Sequence, residues 1–66
     1  MAESYNSQGD TAFTSGQFAQ AIQFYSKAIE LEPKNHIYYN NRACAYERLG
    51  NPQKELEDAQ KAIDLK

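Results

Sequence analysis

The chain is poor in the residues that staple a fold, anchor it in a membrane or arm it chemically. Of its 66 residues only Cys44 is a cysteine, so no disulfide can close within the chain and the framework of a disulfide-bonded secreted domain is disfavoured. A reducing setting is expected, the cytoplasm with the nucleus as an alternative. No stretch approaches the roughly 20 apolar residues of a membrane span. Met1-Ala2-Glu3-Ser4 has neither the basic start nor the apolar run of a leader. No membrane partner is expected. The 7 Lys and Arg residues are dispersed among 9 Asp and Glu, for a net charge of -2, which gives no basic stripe for a phosphate backbone and hence no nucleic-acid partner.

Catalytic and metal-binding sets are equally thin. Gly9, Gly16 and Gly50 are isolated and form no phosphate-cradling loop. His36 and Cys44 stand eight residues apart, too far for a metal or nucleophile pair on neighbouring turns of one helix. Glu55, Glu57 and Asp58 lack the alternation around a glycine that a calcium loop needs. Beside Lys54 and Lys61 they read as a solvated charged face. No catalytic residue, metal or cofactor is expected, and a chain of this length leaves no room for a two-domain enzyme.

What the chain does have is an echo. Lys27-Ala28-Ile29-Glu30-Leu31 returns 34 residues later as Lys61-Ala62-Ile63-Asp64-Leu65. The same shift lays Tyr5 on Tyr39, Asn6 on Asn40 and Gly16 on Gly50. A fixed period in this range marks an array of one supersecondary unit. Within each period the apolar positions recur at threes and fours, the stripe of a half-buried helix.

Four helices are predicted. The first runs through Tyr5, Gly9, Ala12 and Phe13, and is stopped at Thr14-Ser15-Gly16-Gln17. The second carries Ala21, Ile22, Tyr25, Ala28 and Ile29, and Glu32-Pro33-Lys34-Asn35 ends it, because the residue before a proline is pushed out of the helical region. Asn35 caps the third, about His36 to Leu49, with Tyr39, Ala43, Tyr46 and Leu49 on one stripe. Asn51-Pro52 opens the fourth, with proline where its missing N–H is not needed.

These residues resemble the tetratricopeptide repeat, whose 34-residue unit is an antiparallel helix pair. The pattern's small residue matches Gly9 and Ala43. Its second-helix alanines match Ala21 and Ala28, its aromatics Tyr25 and Tyr46, and its closing proline Pro33. In the second unit Glu55 and Ala59 depart from an expected alanine and aromatic; Glu55 is expected to lean to solvent or meet a cation. The resemblance implies an all-α fold. Two tandem helix-turn-helix units, about 2–35 and 36–66, would form a short right-handed solenoid of four antiparallel helices as a single domain. By the pattern's sterics, Gly9 and Ala43 allow close helix approach and the tyrosines fill the gaps.

The resemblance also implies a non-enzymatic scaffold that binds a peptide or protein partner in a groove along the first helix of each unit. Here that face holds Asn6, Asp10, Phe13, Ile37, Asn40, Asn41, Cys44, Glu47 and Arg48. Asn40-Asn41-Arg42-Ala43 looks like the run in heat-shock chaperone adaptors that grip the chaperone's acidic C-terminal tail. By that match Asn41 would bond the terminal carboxylate. Asn6 and Asp10 stand where the adaptors have lysine and asparagine, and an aspartate repels a carboxylate. Two readings stay open beside peptide binding. These residues could be ordinary solvated positions. Alternatively the chain self-associates: it stops at Lys66 without a capping helix, leaving Tyr46, Leu49, Leu56, Ala59 and Ile63 as an apolar end for a second copy, by end stacking or helix exchange near Pro33 or Gly50.

Overall fold

Four helices and no strand form from the four periodic segments: α1 (Ala2–Thr14), α2 (Phe18–Leu31), α3 (His36–Leu49) and α4 (Pro52–Leu65). They are seen in a computed structural model that describes residues 1–66. The two turns within the helix pairs are closed the same way. After α1 the Gly16 N–H donates to the Phe13 carbonyl at 3.0 Å and the Gln17 N–H to Ala12 at 2.8 Å; after α3 the Gly50 N–H donates to Glu47 at 3.1 Å and the Asn51 N–H to Tyr46 at 2.9 Å. This paired closure needs a left-handed residue, and Gly16 and Gly50 supply it at φ +80° and +84°. At the helix starts, Asn35 Oδ1 accepts from the Ile37 N–H at 3.0 Å and Asn51 Oδ1 from the Lys54 N–H at 3.2 Å, each satisfying a donor that has no partner in the first turn. Pro52 takes the first position of α4.

Each helix packs on the next, α1 on α2, α2 on α3 and α3 on α4, while α1 and α3 touch only lightly. Two clusters fill the interior. Ala12, Ala21, Tyr25 and Ala45 form one, edged by Phe13, Ile22 and Phe24. Ala2, Ala28 and Tyr38 form the other, edged by Tyr5 and Ile29. Both draw on α1, α2 and α3, so α2 is covered on two sides. Every buried apolar side chain in the molecule is an alanine or a tyrosine. Small residues bring the helix axes together, and the tyrosine rings span what the alanines leave open.

Helix α3 differs from the single stripe expected of it. Tyr38 and Ala45 are buried alongside Tyr39 and Ala43, whereas Leu49 is half exposed and Tyr46 half-buried. The reason is its position between α2 and α4. Tyr38 and Ala45 join the two clusters above, and Tyr39 and Ala43 lie on the next stripe round. The Tyr39 hydroxyl also donates to the Pro33 carbonyl at 3.0 Å, tying α3 to the loop that precedes it.

The tightest approach is between α1 and α2. A Cβ built on Gly9 would lie 2.5 Å from Tyr25 Cε1 and 2.7 Å from Cδ1, far inside van der Waals contact, and Tyr25 is only 2% exposed, so the ring has nowhere to go. Alanine at a helical glycine ordinarily adds up to about 1 kcal/mol, but overpacking here costs about 1–3 kcal/mol. Gly9→Ala is therefore expected to lower the urea midpoint of unfolding, and a midpoint at or above the parent's would show that the ring has room.

Candidate functional site: the groove between α1 and α3

On α1 the positions 6, 10 and 13 fall on one stripe, and on α3 so do 37, 41, 44 and 48. The fold brings these stripes face to face. Asn41 Nδ2 donates to Asn6 Oδ1 at 2.8 Å, and the Arg48 guanidinium lies over the Phe13 ring, 5.6 Å from its centre. Both links join residues 35 apart, so α1 and α3 run parallel. Phe13 is held in turn by an edge-on contact with Phe18 at 5.2 Å between ring centres.

Between the two links lies a depression of about 150 Å³ lined by Asp10, Phe13, Tyr25, Asn41 and Cys44. Its floor is the Tyr25 hydroxyl, which donates to Asp10 Oδ1 at 2.5 Å. Burial, and then the hydrogen bond and negative charge of Asp10, push the Tyr25 phenol well above its ordinary range, so the hydroxyl keeps its proton and stays a donor. Asp10 and Cys44 are exposed at the rim.

Of the groove residues read from the sequence, Asn6, Asp10, Phe13, Asn41, Cys44 and Arg48 are thus gathered in one place. Ile37, Asn40 and Glu47 are exposed on the same helix and do not line the depression. The repeat pattern accounts for Tyr25 only as a core residue. It is one, but its hydroxyl also opens into the groove, and nothing in a 15-residue separation signals its pairing with Asp10.

The acidic cluster requires correction. Asp58 is 6% exposed and belongs to no solvated face. Arg42 holds both its oxygens, Nε to Oδ2 at 2.7 Å and an Nη to Oδ1 at 2.8 Å, and its remaining Nη donates to Ser26 Oγ at 3.0 Å. One guanidinium therefore clamps α2, α3 and α4 together. The hydrogen bond to Asp58 raises the Arg42 pKa, against the opposing effect of burial, and the Arg42 side chain lies over the Tyr39 ring at 5.7 Å. Although Arg42 lies inside the adaptor-like Asn40–Ala43 run, its guanidinium is engaged by Asp58 and Ser26. Glu57 is exposed; Glu55 is half-buried without a cation, its carboxylate reaching solvent. His36 is half-buried at the start of α3. No three His, Cys, Asp or Glu side chains converge as metal ligands, and no helix is long and apolar enough to cross a membrane.

The far side of α4 is uncovered. Leu56 and Ile63 are 69% and 67% exposed, Leu49 is 50% exposed, and Tyr46 and Ala59 are half-buried beside them. One period earlier, Ile22 and Ile29 are half-buried because α3 lies against α2.

Two stacked helical hairpins with a side-chain groove between their first helices define a helical-repeat scaffold of the protein-binding class. Comparison with known proteins specifies which. The family model described as TPR repeat matches residues 9–50, and that described as Tetratricopeptide repeat matches residues 36–66. Hsp70-Hsp90 organizing protein 1 of Glycine max is 47% identical over 60 residues, covering 91% of this chain and 10% of that protein. Serine/threonine-protein phosphatase 5 of Homo sapiens is 45% identical over 64 residues, 97% of this chain and 13% of that protein. The crystal structure of the Sgt2 TPR domain from Aspergillus fumigatus superposes with a TM-score of 0.95 at 34% identity, covering 97% of this chain and 42% of that one. The chain belongs to the tetratricopeptide-repeat family. It spans between 10% and 18% of the length of the curated relatives it matches, and the phosphatase similarity, confined to 13% of that enzyme, brings no catalytic chemistry to these residues.

The Arg42 clamp gives a measurable consequence. Asp58→Ala leaves a guanidinium half-buried without its counter-charge, which costs about 2–4 kcal/mol after allowing for partial exposure. Replacing the pair together, Arg42→Met with Asp58→Leu, is expected to cost distinctly less in urea unfolding. Equal losses from the single and double variants would show that packing, not charge, is what the pair contributes.

Proposed function

We propose that the chain is a non-enzymatic scaffold that takes an extended segment of a protein partner along the α1–α3 groove. The observation that carries this reading is the bracketed depression itself, in which Asp10, Phe13, Tyr25, Asn41 and Cys44 present an aromatic wall, a thiol and unpaired acceptors to an open rim. Relatives named for organizing Hsp70 and Hsp90 make a chaperone segment the first partner to try, in the cytoplasm or nucleus. An acidic chaperone tail is a poor fit in one respect. Asn41 is tied to Asn6, and the neighbouring Asp10 carboxylate opposes a carboxylate ligand. Titration of the labelled chain with short peptides, acidic chaperone tails among them, is expected to move the amide and side-chain signals of Asn6, Phe13, Asn41, Cys44 and Arg48. Shifts scattered elsewhere would count against the groove.

A second reading, self-association through α4, is favoured by the exposure of Leu56 and Ile63 at positions whose repeat equivalents are covered. Light scattering is expected to show a mass that rises with concentration and falls back to monomer in Leu56→Lys. A parent chain that stays monomeric at high concentration and melts cooperatively sinks this reading.

A further inference from the structure

The depression offers more hydrogen-bond acceptors than donors. Asp10 uses one carboxylate oxygen for the Tyr25 hydroxyl, and its other oxygen receives nothing from the protein. Asn41 spends a donor on Asn6 and leaves its own Oδ1 unpaired. The Tyr25 oxygen, which donates its hydrogen bond to Asp10, keeps lone pairs of its own beside the depression that Tyr25 lines. Asp10 forms no salt bridge. α1 carries no lysine or arginine, and all five lysines, Lys27, Lys34, Lys54, Lys61 and Lys66, lie on α2, in the loop after it, on α4 or at the C-terminus. Arg42 is committed to Asp58 and Ser26, and Arg48 sits over Phe13.

We propose that this depression receives a lysine side chain of the bound segment, its ammonium between Asp10, Asn41 and Tyr25 and its methylenes along Phe13 and Cys44. The inference rests on the groove reading and narrows it to a cation-bearing segment. Volume and geometry select lysine. About 150 Å³ holds one unbranched side chain and is smaller than the usual small-molecule pocket of about 300 Å³ or more. A guanidinium fork would have to share the Asp10 oxygen that already accepts from the Tyr25 hydroxyl, and its planar width suits so small a depression less well. An ammonium is a compact charge with three separately directed donors, and three acceptors await it. A carboxylate placed between Asp10, Asn41 and Tyr25, the group expected from the resemblance to chaperone adaptors, would meet the Asp10 charge at close range.

The test uses blocked five-residue peptides that differ only at the centre, lysine against norleucine, arginine and glutamate, titrated into the isotope-labelled 66-residue chain. The lysine peptide is expected to shift Asp10, Phe13, Asn41 and Cys44 and to bind about tenfold more tightly than the norleucine peptide, as a charge-assisted bond implies. That margin should shrink as salt rises. In Asp10→Asn, which keeps an acceptor for the Tyr25 hydroxyl, the lysine preference should vanish, so that the lysine and norleucine peptides bind that variant equally. Equal binding of lysine and norleucine peptides at these residues overturns the lysine assignment and leaves the groove standing, as does tighter binding of the glutamate or arginine peptide. Shifts at none of these residues with any peptide overturn both. Should Asp10→Asn fail to fold, the lysine-to-norleucine ratio and its salt dependence in the parent chain decide alone.

Discussion

The contact between the Tyr25 ring and the bare backbone at Gly9 sets the spacing of everything built on the first helix pair. With any side chain at position 9, the ring would be displaced and α1 would stand off α2. Because nothing intervenes, Tyr25 lies across α1 and is nearly inaccessible to solvent, and its hydroxyl emerges on the far side at Asp10. A packing constraint between α1 and α2 thus reaches through the core to become the floor of the α1–α3 groove. The shape of the groove and the stability of the first unit are two results of one close approach.

Seven of the ten buried apolar residues are alanines, which bury little area each, and burial alone leaves a chain of this size marginal. Polar ties supplement it. Arg42 links α2, α3 and α4 through Ser26 and Asp58, Tyr39 links α3 to the Pro33 loop, and Tyr25 links α2 to α1. Each is directional, so each selects one arrangement of helices over others of similar compactness.

The helices and their turns were legible in the sequence because they depend on local chemistry at a fixed period. Gly16 and Gly50 mark positions where only a left-handed backbone closes the helix, and Asn35 and Asn51 are caps wherever they precede such stripes. The burial of α3 on two sides was not legible. A helix between two neighbours spreads its apolar residues round the axis, and Tyr38 and Ala45 fall outside any single stripe. The burial of Asp58 was not legible for a related reason. Among Glu55, Glu57, Lys54 and Lys61 it looks like one more surface charge, and its partner Arg42 lies 16 residues away on another helix. Groove residues such as Asn41 and Phe13 could be placed by repeat register, whereas the acceptor-rich chemistry of the depression depends on which lone pairs remain after Asn6 and Tyr25 have taken their bonds.

The matched turns carry a last implication. Both hairpins close through main-chain hydrogen bonds, so the geometry of each turn is indifferent to what the groove stripes display. Residues such as Asn40, Cys44 and Glu47 are then free to drift, and recognition can diversify between copies of the same scaffold without any refolding. Asp10 is the exception, since it alone among the exposed groove side chains grips the core. Evolution can rewrite most of this surface independently of the architecture, but a change at Asp10 is felt by partner and framework at once.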